Sequence, residues 1–235
     1  GYARKHEIEM LYNAIQKAGR PIVLSLSPGP AIIQKSWHYK KYANMWRISD
    51  DFWDDWELLK DMFPRCEIWQ DHVAKGCFPD CDMLPLGKIG GGFGWQKDRD
   101  TNLTKDEQRV MITLWCMFGS PLMLGADLTR LDDWTLSLLT NRKVLNMLTP
   151  DCRPDQICRD GNKAIWVAEN EKTSERYVAL FNLSDQAVDI MADLHDRWDN
   201  ITGAEELWGG LAPKIQGGNL TAQVAPHGCL VYKVE

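Results

Sequence analysis

No basic excess marks this chain of 235 residues: 27 Lys and Arg are outnumbered by 33 Asp and Glu, giving a net charge of −6. The basic residues are scattered, so neither nucleic acid nor an anionic membrane surface is an expected partner. Long apolar runs are missing too. IVLSLS and VLNML are short and flanked by proline or charge, whereas a membrane-spanning helix needs about 20 apolar residues. Paired CxxC knuckles are absent, and His38, His72, His195 and His227 show no ligand spacing, so no metal site is expected. There is no G-x-S-x-G elbow for serine-hydrolase chemistry. GKIGGGFG lacks the GK[ST] of a phosphate loop and does not run straight into a helix, which makes it a rim loop by expectation.

What is present is enough apolar material for a core, 44% of residues, arranged in two distinct patterns. Up to Leu148, short apolar strands alternate with helical stretches. Residues 2–18 read as a helix with Ile8, Leu11, Tyr12 and Ile15 on one face, stopped by Gly19-Arg20-Pro21. PIVLSLS follows as a buried strand. ANMWRIS leads into a helix predicted over 53–62, and FPDCDMLPLG leads through the glycine-rich loop into a helix from about 105. Thr104-x-x-Glu107 forms a capping box for that helix. PLMLGA then reads as a strand before DDWTLSLLTNRKVLNML. Strand and helix in alternation predict a parallel sheet with helices outside it. Beyond a polar, proline-bearing connector at 149–160, the runs AIWVAE, RYVALFNL, AVDIMADL, LTAQV and CLVYKVE have period two and predict a small antiparallel sandwich over 161–235.

The predicted fold is therefore α/β over 1–148, with four βα units, followed by an all-β module. Four units are half of a (β/α)₈ barrel, and half a barrel leaves two open parallel edges. The seven cysteines (66, 77, 81, 116, 152, 158 and 229) read as buried thiols, with Cys77/Cys81 and Cys152/Cys158 the pairs close enough in sequence to close a local loop. N-x-[ST] sequons at Asn102, Asn182, Asn200 and Asn219 suit a secreted chain, but so short a motif arises by chance.

In such a barrel, chemistry sits at the carboxyl ends of the strands. Three strand ends carry polar groups: Ser25 and Ser27; Arg47, Asp50 and Asp51; Asp80 and Asp82. NMWRISDDFWDDW, residues 44–56, packs four aspartates, one arginine and three tryptophans into thirteen positions. An arginine and carboxylates converging on one rim, with Trp46, Trp53 and Phe78 nearby, suit a sugar and its cleavage by paired carboxylates. The plainer readings stand beside this one. Asp54 and Asp55 fall in the first turn of a helix, where acid complements the dipole. Trp53 and Trp56 fall on that helix's apolar stripe. Arg47 with Asp51 could be an ordinary loop ion pair.

The motifs WR-x-x-x-D (Trp46, Arg47, Asp51) and D-x-DML (Asp80, Asp82, Met83), in this order, resemble those of glycoside hydrolase family 27, the α-galactosidases and α-N-acetylgalactosaminidases. RPIVLSLSPGPA is similar to that family's fifth barrel strand, ANMWRISDDFWDDW to the sixth, FPDCDMLPLG to the seventh and LWCMFGSPLMLGADL to the eighth. APHGCLVYKV is similar to the last strand of its β-domain. The resemblance implies the C-terminal half of a TIM barrel plus a sandwich, from a retaining glycosidase that needs no cofactor. It implies that Asp51 is the general acid/base, whose carboxyl would need a raised pKa from desolvating aromatic walls. It implies further that Arg47, Asp82, Met83, Ser27 and Asp80 bind the sugar, and it favours a secreted or periplasmic location.

Two departures accompany the resemblance. The family's nucleophilic aspartate ends the fourth strand, which would precede Gly1. Retention requires two carboxylates roughly 5 Å apart, so the isolated chain is expected to be inactive and to need the missing N-terminal half-barrel or a second copy. At the positions where the family's galactosidases carry Glu and Leu, this chain has Ser27 and Pro30. Ser27 resembles the acetamido-tolerant version, and Pro30 matches neither. The expected substrate is a terminal α-galactoside in an oligosaccharide or glycoconjugate, with an α-N-acetylgalactosaminide as the alternative within the family. Outside it stand a non-catalytic sugar-binding half-barrel that dimerises, and an inverting hydrolase pairing Asp51 with Asp80 or Asp82.

Overall fold

The computed structural model describes residues 4–90, 97–198 and 201–235. Helix α1 (Lys5–Ala18) ends on Gly19, whose φ of 63° is the left-handed conformation that glycine adopts at low cost. Three short strands, β1 (Ser25–Leu26), β2 (Met45–Arg47) and β3 (Phe78–Asp80), pair in parallel in that order. The pairing sets Leu26 beside Trp46 and Arg47 beside Asp80. A parallel bridge between Leu84 and Leu124 carries the arrangement on to the PLMLGA segment. Helix α2 (Ser36–Tyr42) precedes β2, and α3 (Trp56–Trp69) precedes β3.

Two sequence expectations shift here. PIVLSLS forms only a two-residue strand, and Ile22 and Val23 are exposed. Among the described residues β1 pairs with a strand on one side alone. The helix predicted over 53–62 starts three residues later and continues past Pro64. Proline removes one hydrogen bond from the ladder, but Phe63, Cys66 and Trp69 bury the turns on either side of it.

The hairpin β4 (Lys88–Ile89) and β5 (Arg99–Asp100) flanks the glycine-rich loop; of GKIGGGFG, residues 91–94 lie outside the described residues. Helix α4 (Lys105–Phe118) starts with the expected capping box: Thr104 Oγ1 accepts the Glu107 N–H and Glu107 accepts the Thr104 N–H. It is buried from Val110 to Phe118. Two short helices, α5 (Asp133–Leu139) and α6 (Arg142–Leu145), replace the single helix expected there, because Asn141 caps a new start.

The segment 149–160, expected as a connector, contains strand β6 (Cys152–Arg159). Its inward positions Cys152, Pro154 and Gln156 alternate with outward ones, and Pro154 is tolerated because β6 is an edge strand. With β7 (Lys163–Asn170), β8 (Arg176–Asn182), β10 (Ala204–Glu206) and β13 (Cys229–Val234) it forms a five-stranded sheet in the order β10-β13-β8-β7-β6. A second sheet, β11 (Lys214–Gln216), β12 (Asn219–Val224) and β9 (Val188–Asp193), lies across it.

The larger sheet is buried on both faces. Ile165, Val167, Val178 and Leu180 point into the sandwich core, while Trp166 and Phe181 join the barrel core against Phe118 and Phe63. Trp208 donates to Thr113 of α4, and Gln70 bonds to Asp155 and to the Gln156 N–H. His227, from the sandwich, places its ring nitrogens 2.8 Å from Glu107 and from Asp185 and stacks on Trp56. The two modules therefore share a continuous interface. All seven cysteines are free thiols, and the near contact is neither expected pair but Cys66 with Cys81, their sulfurs 3.5 Å apart. Among the described residues no helix is long and apolar enough to cross a membrane.

Candidate active site

Arg47 ends β2 with its side chain almost wholly buried, and three neighbouring loops supply acceptors for it. Nη2 donates to Asp51 Oδ1 at 2.9 Å, and Nη1 donates to Ser27 Oγ at 3.2 Å and meets Asp82 Oδ1 at 3.1 Å. Ser27 follows β1, Asp51 follows β2 and Asp82 follows β3, so the carboxyl ends of all three strands converge on one guanidinium. A planar, permanently charged fork that serves several acceptors at once is suited to fixing orientation.

Asp82 is held from several sides. Its Oδ2 accepts the Phe52 N–H at 2.8 Å, its own N–H donates to Asp80 Oδ1 at 2.9 Å, and its backbone is left-handed, with φ 77°. Asp80 lies beneath it, 5% exposed. Burial pushes the Asp80 carboxyl above its ordinary range and the Asp82 charge adds to that, while the Asp82 N–H and Arg47 oppose it. Met83, half-buried, is packed against Gly125, where an added Cβ would come within 2.5 Å of its sulfur.

The four aspartates of the opening motif have separate environments. Asp50 and Asp51 are exposed, the Asp51 side chain at 83%. Asp54 is buried and accepts from both Arg99 Nη atoms and from the Asn102 N–H, which ties the start of α3 to the β4–β5 hairpin. Burial alone would raise its pKa, but those three bonds outweigh it and hold the carboxyl below its ordinary value. Asp55 is the N-cap of α3, accepting from the Glu57 and Leu58 N–H groups. The helix-start role expected of both Asp54 and Asp55 thus belongs to Asp55 alone.

Of the aromatic residues expected at the rim (Trp46, Trp53 and Phe78), Trp46 turns inward and stacks on Tyr39. Phe52, next to Asp51, is also buried and packs on Trp115. Alternation along the strand sends Trp46 to the opposite side from Arg47. Neither ring covers Asp51. A cavity of about 270 Å³ lies along the free edge of β1, lined by Ile8 and Leu11 of α1, by the loop through Pro30, and by Ser27 and Arg47. Among the described residues no group of three or more His, Cys, Asp or Glu side chains is arranged to hold a metal ion.

The family model for alpha galactosidase A matches residues 3–149, and that for the alpha galactosidase C-terminal beta sandwich domain matches residues 160–234. The chain belongs to the alpha-galactosidase family, glycoside hydrolase family 27. Alpha-galactosidase 2 of Arabidopsis thaliana is 24% identical over 99% of this chain and 56% of its own length. The alpha-galactosidase of Cyamopsis tetragonoloba is 24% identical over 99% and 54%. Among solved structures, a GH27 β-L-arabinopyranosidase of Geobacillus stearothermophilus, in complex with arabinose, is 42% identical over 98% of this chain and 54% of its own, with a TM-score of 0.91. The chain thus spans about half the length of these relatives and, as the resemblance implied, has the half-barrel and sandwich of this glycoside hydrolase family.

Trp115 was missed by the sequence reading. Its indole N–H donates to the Asp82 carbonyl at 3.0 Å, from the last turn of α4. A tryptophan buried in an apolar helix needs an acceptor for that N–H, a signal that such a partner exists but not of which residue it is.

Proposed function

We propose that this chain contributes the acid/base side of the active site of a retaining glycosidase acting on terminal α-D-galactopyranosides. Asp51 donates a proton to the departing glycosidic oxygen and later takes one from water. Arg47, Asp82, Met83 and Ser27 bind and orient the sugar, and Asp80 supports Asp82 from below. The observation that carries this reading is the convergence of Ser27, Asp51 and Asp82 on the buried Arg47 guanidinium, within a chain of this family. The nucleophilic carboxylate, roughly 5 Å from the acid in a retaining enzyme, comes from polypeptide outside this chain. That polypeptide also covers the free edge of β1 and desolvates Asp51.

A second reading concerns the sugar. β-L-Arabinopyranose has the ring configuration of α-D-galactopyranose without the exocyclic hydroxymethyl group, and the Geobacillus β-L-arabinopyranosidase is far more similar in sequence than the plant alpha-galactosidases. The α-N-acetylgalactosaminide remains the third substrate to compare, on account of Ser27.

Nitrophenol release from the α-D-galactoside, the β-L-arabinopyranoside and the α-N-acetylgalactosaminide tests these readings in the full-length gene product. The best substrate names the sugar. Asp51→Asn is expected to lower turnover about 10²- to 10⁴-fold, the usual contribution of acid/base catalysis, with the fold retained because Arg47 keeps Asp82 and Ser27 as partners. Turnover that survives this substitution would overturn the assignment of Asp51.

A further inference from the structure

Asp82 combines a bridging carboxylate with a left-handed backbone that side chains other than glycine rarely adopt. Its carboxylate reaches Arg47 and the Phe52 N–H at once. That geometry holds only while the peptide around Asp82 is kept in place. Asp80 accepts the Asp82 N–H on one side of the residue, and Trp115 donates to the Asp82 carbonyl on the other. The same indole ring lies 5.1 Å from the ring of Phe52, the residue that follows Asp51. Trp115 therefore touches both the residue that carries Asp82's carboxylate and the residue that accompanies Asp51. It does so from a helix position that is fully buried.

We propose that Trp115 is a positioning residue. Through its N–H it locks the left-handed conformation of Asp82, and through its ring it fixes Phe52, so that Asp51 and Asp82 meet Arg47 in one geometry. The inference rests on the reading of Asp51 and Asp82 given above. A purely structural tryptophan would need the ring but not the direction of the N–H, and this difference can be tested.

Replacing Trp115 by 3-benzothienyl-alanine keeps the bicyclic shape and exchanges the N–H for sulfur; Trp115→Phe serves as a second variant, with the same two readouts. The first readout is kinetic, in the full-length gene product on its best nitrophenyl glycoside. We expect kcat/KM to fall about tenfold, with KM rising because a displaced Asp82 holds the sugar less well and kcat falling because a displaced Arg47–Asp51 pair misaligns the acid in the transition state. The second is a crystal structure of the substituted full-length gene product, in which Asp82 is expected to leave positive φ and its contact with the Phe52 N–H to open.

Wild-type kinetics, or an Asp82 backbone that stays where it is, would overturn the proposal and leave Trp115 as core packing. If the unsubstituted full-length protein cleaves none of the glycosides, the functional reading fails on its own. The crystal structure then decides alone: a relaxed Asp82 upholds the positioning role and an unmoved one refutes it.

Discussion

Replacing Asp54 by asparagine should destabilise the protein by about 2 kcal/mol while leaving the Arg47 cluster untouched. Asp54 is 5% exposed and accepts three hydrogen bonds, from both Arg99 Nη atoms at 2.5 and 2.9 Å and from the Asn102 N–H at 2.6 Å. Asparagine has one acceptor oxygen, so its NH₂ group must face one of these donors, and at least one bond is lost together with the charge. Hydrogen bonds to charged groups contribute about 1.5–3 kcal/mol, and breaking a fully buried pair costs about 3–5 kcal/mol. The Arg99 side chain is 36% exposed, so water screens part of the interaction and the lower end applies. At about 2–4 °C per kcal/mol for a chain of this size, the midpoint should fall by about 4–8 °C, measured by thermal and urea unfolding.

The pH dependence has a definite sign. The Asp54 carboxyl titrates below its ordinary value in the folded state, so its contribution is complete above the unfolded pKa of about 3.9 and fades as pH falls through the folded value. Wild type and Asp54→Asn should therefore differ most at neutral pH and converge at strongly acid pH. A midpoint change under about 1 °C would refute the assignment of Asp54 as a structural tie. So would a difference that does not shrink as pH falls below the unfolded value.

Two further substitutions probe neighbouring parts. Gly125→Ala places a Cβ 2.5 Å from the Met83 sulfur and 3.0 Å from its Cγ; the side chain must turn aside, and we expect about 1–3 kcal/mol of destabilisation. KM in the full-length gene product should also rise several-fold if Met83 lines the sugar pocket. His227→Asn keeps a residue that tolerates the positive φ of 49° but removes the bonds to Glu107 and Asp185 and the stacking on Trp56. A loss of about 1–2 kcal/mol in urea unfolding is expected, and an unchanged midpoint would mean that this contact does not hold barrel and sandwich together.

The alternation of apolar strands with helices, and its change to period two after Leu148, were legible because each element's burial is written locally in its side-chain period. Where the structure departed from expectation, distant partners decided. Asp54 and Asp55 are identical neighbours, yet one finds Arg99 and Asn102, more than forty residues on, and the other caps α3. No local pattern separates them until the helix start is known. Strand β6 read as a connector because its proline and polar residues break the usual strand signature, although an edge position tolerates both.

At the candidate site the same division holds. Arg47 and Asp51 are four positions apart and pair directly, so their spacing carried real information. Asp82 reaches Phe52 across 30 residues and Trp115 across 33. The feature that sequence reasoning inferred least well was the environment of Asp51. Tryptophans adjacent in sequence suggested a desolvating wall, but strand alternation sends Trp46 into the core on the side opposite Arg47. A residue's neighbours in sequence thus predict its surroundings only where the backbone turns them to the same side.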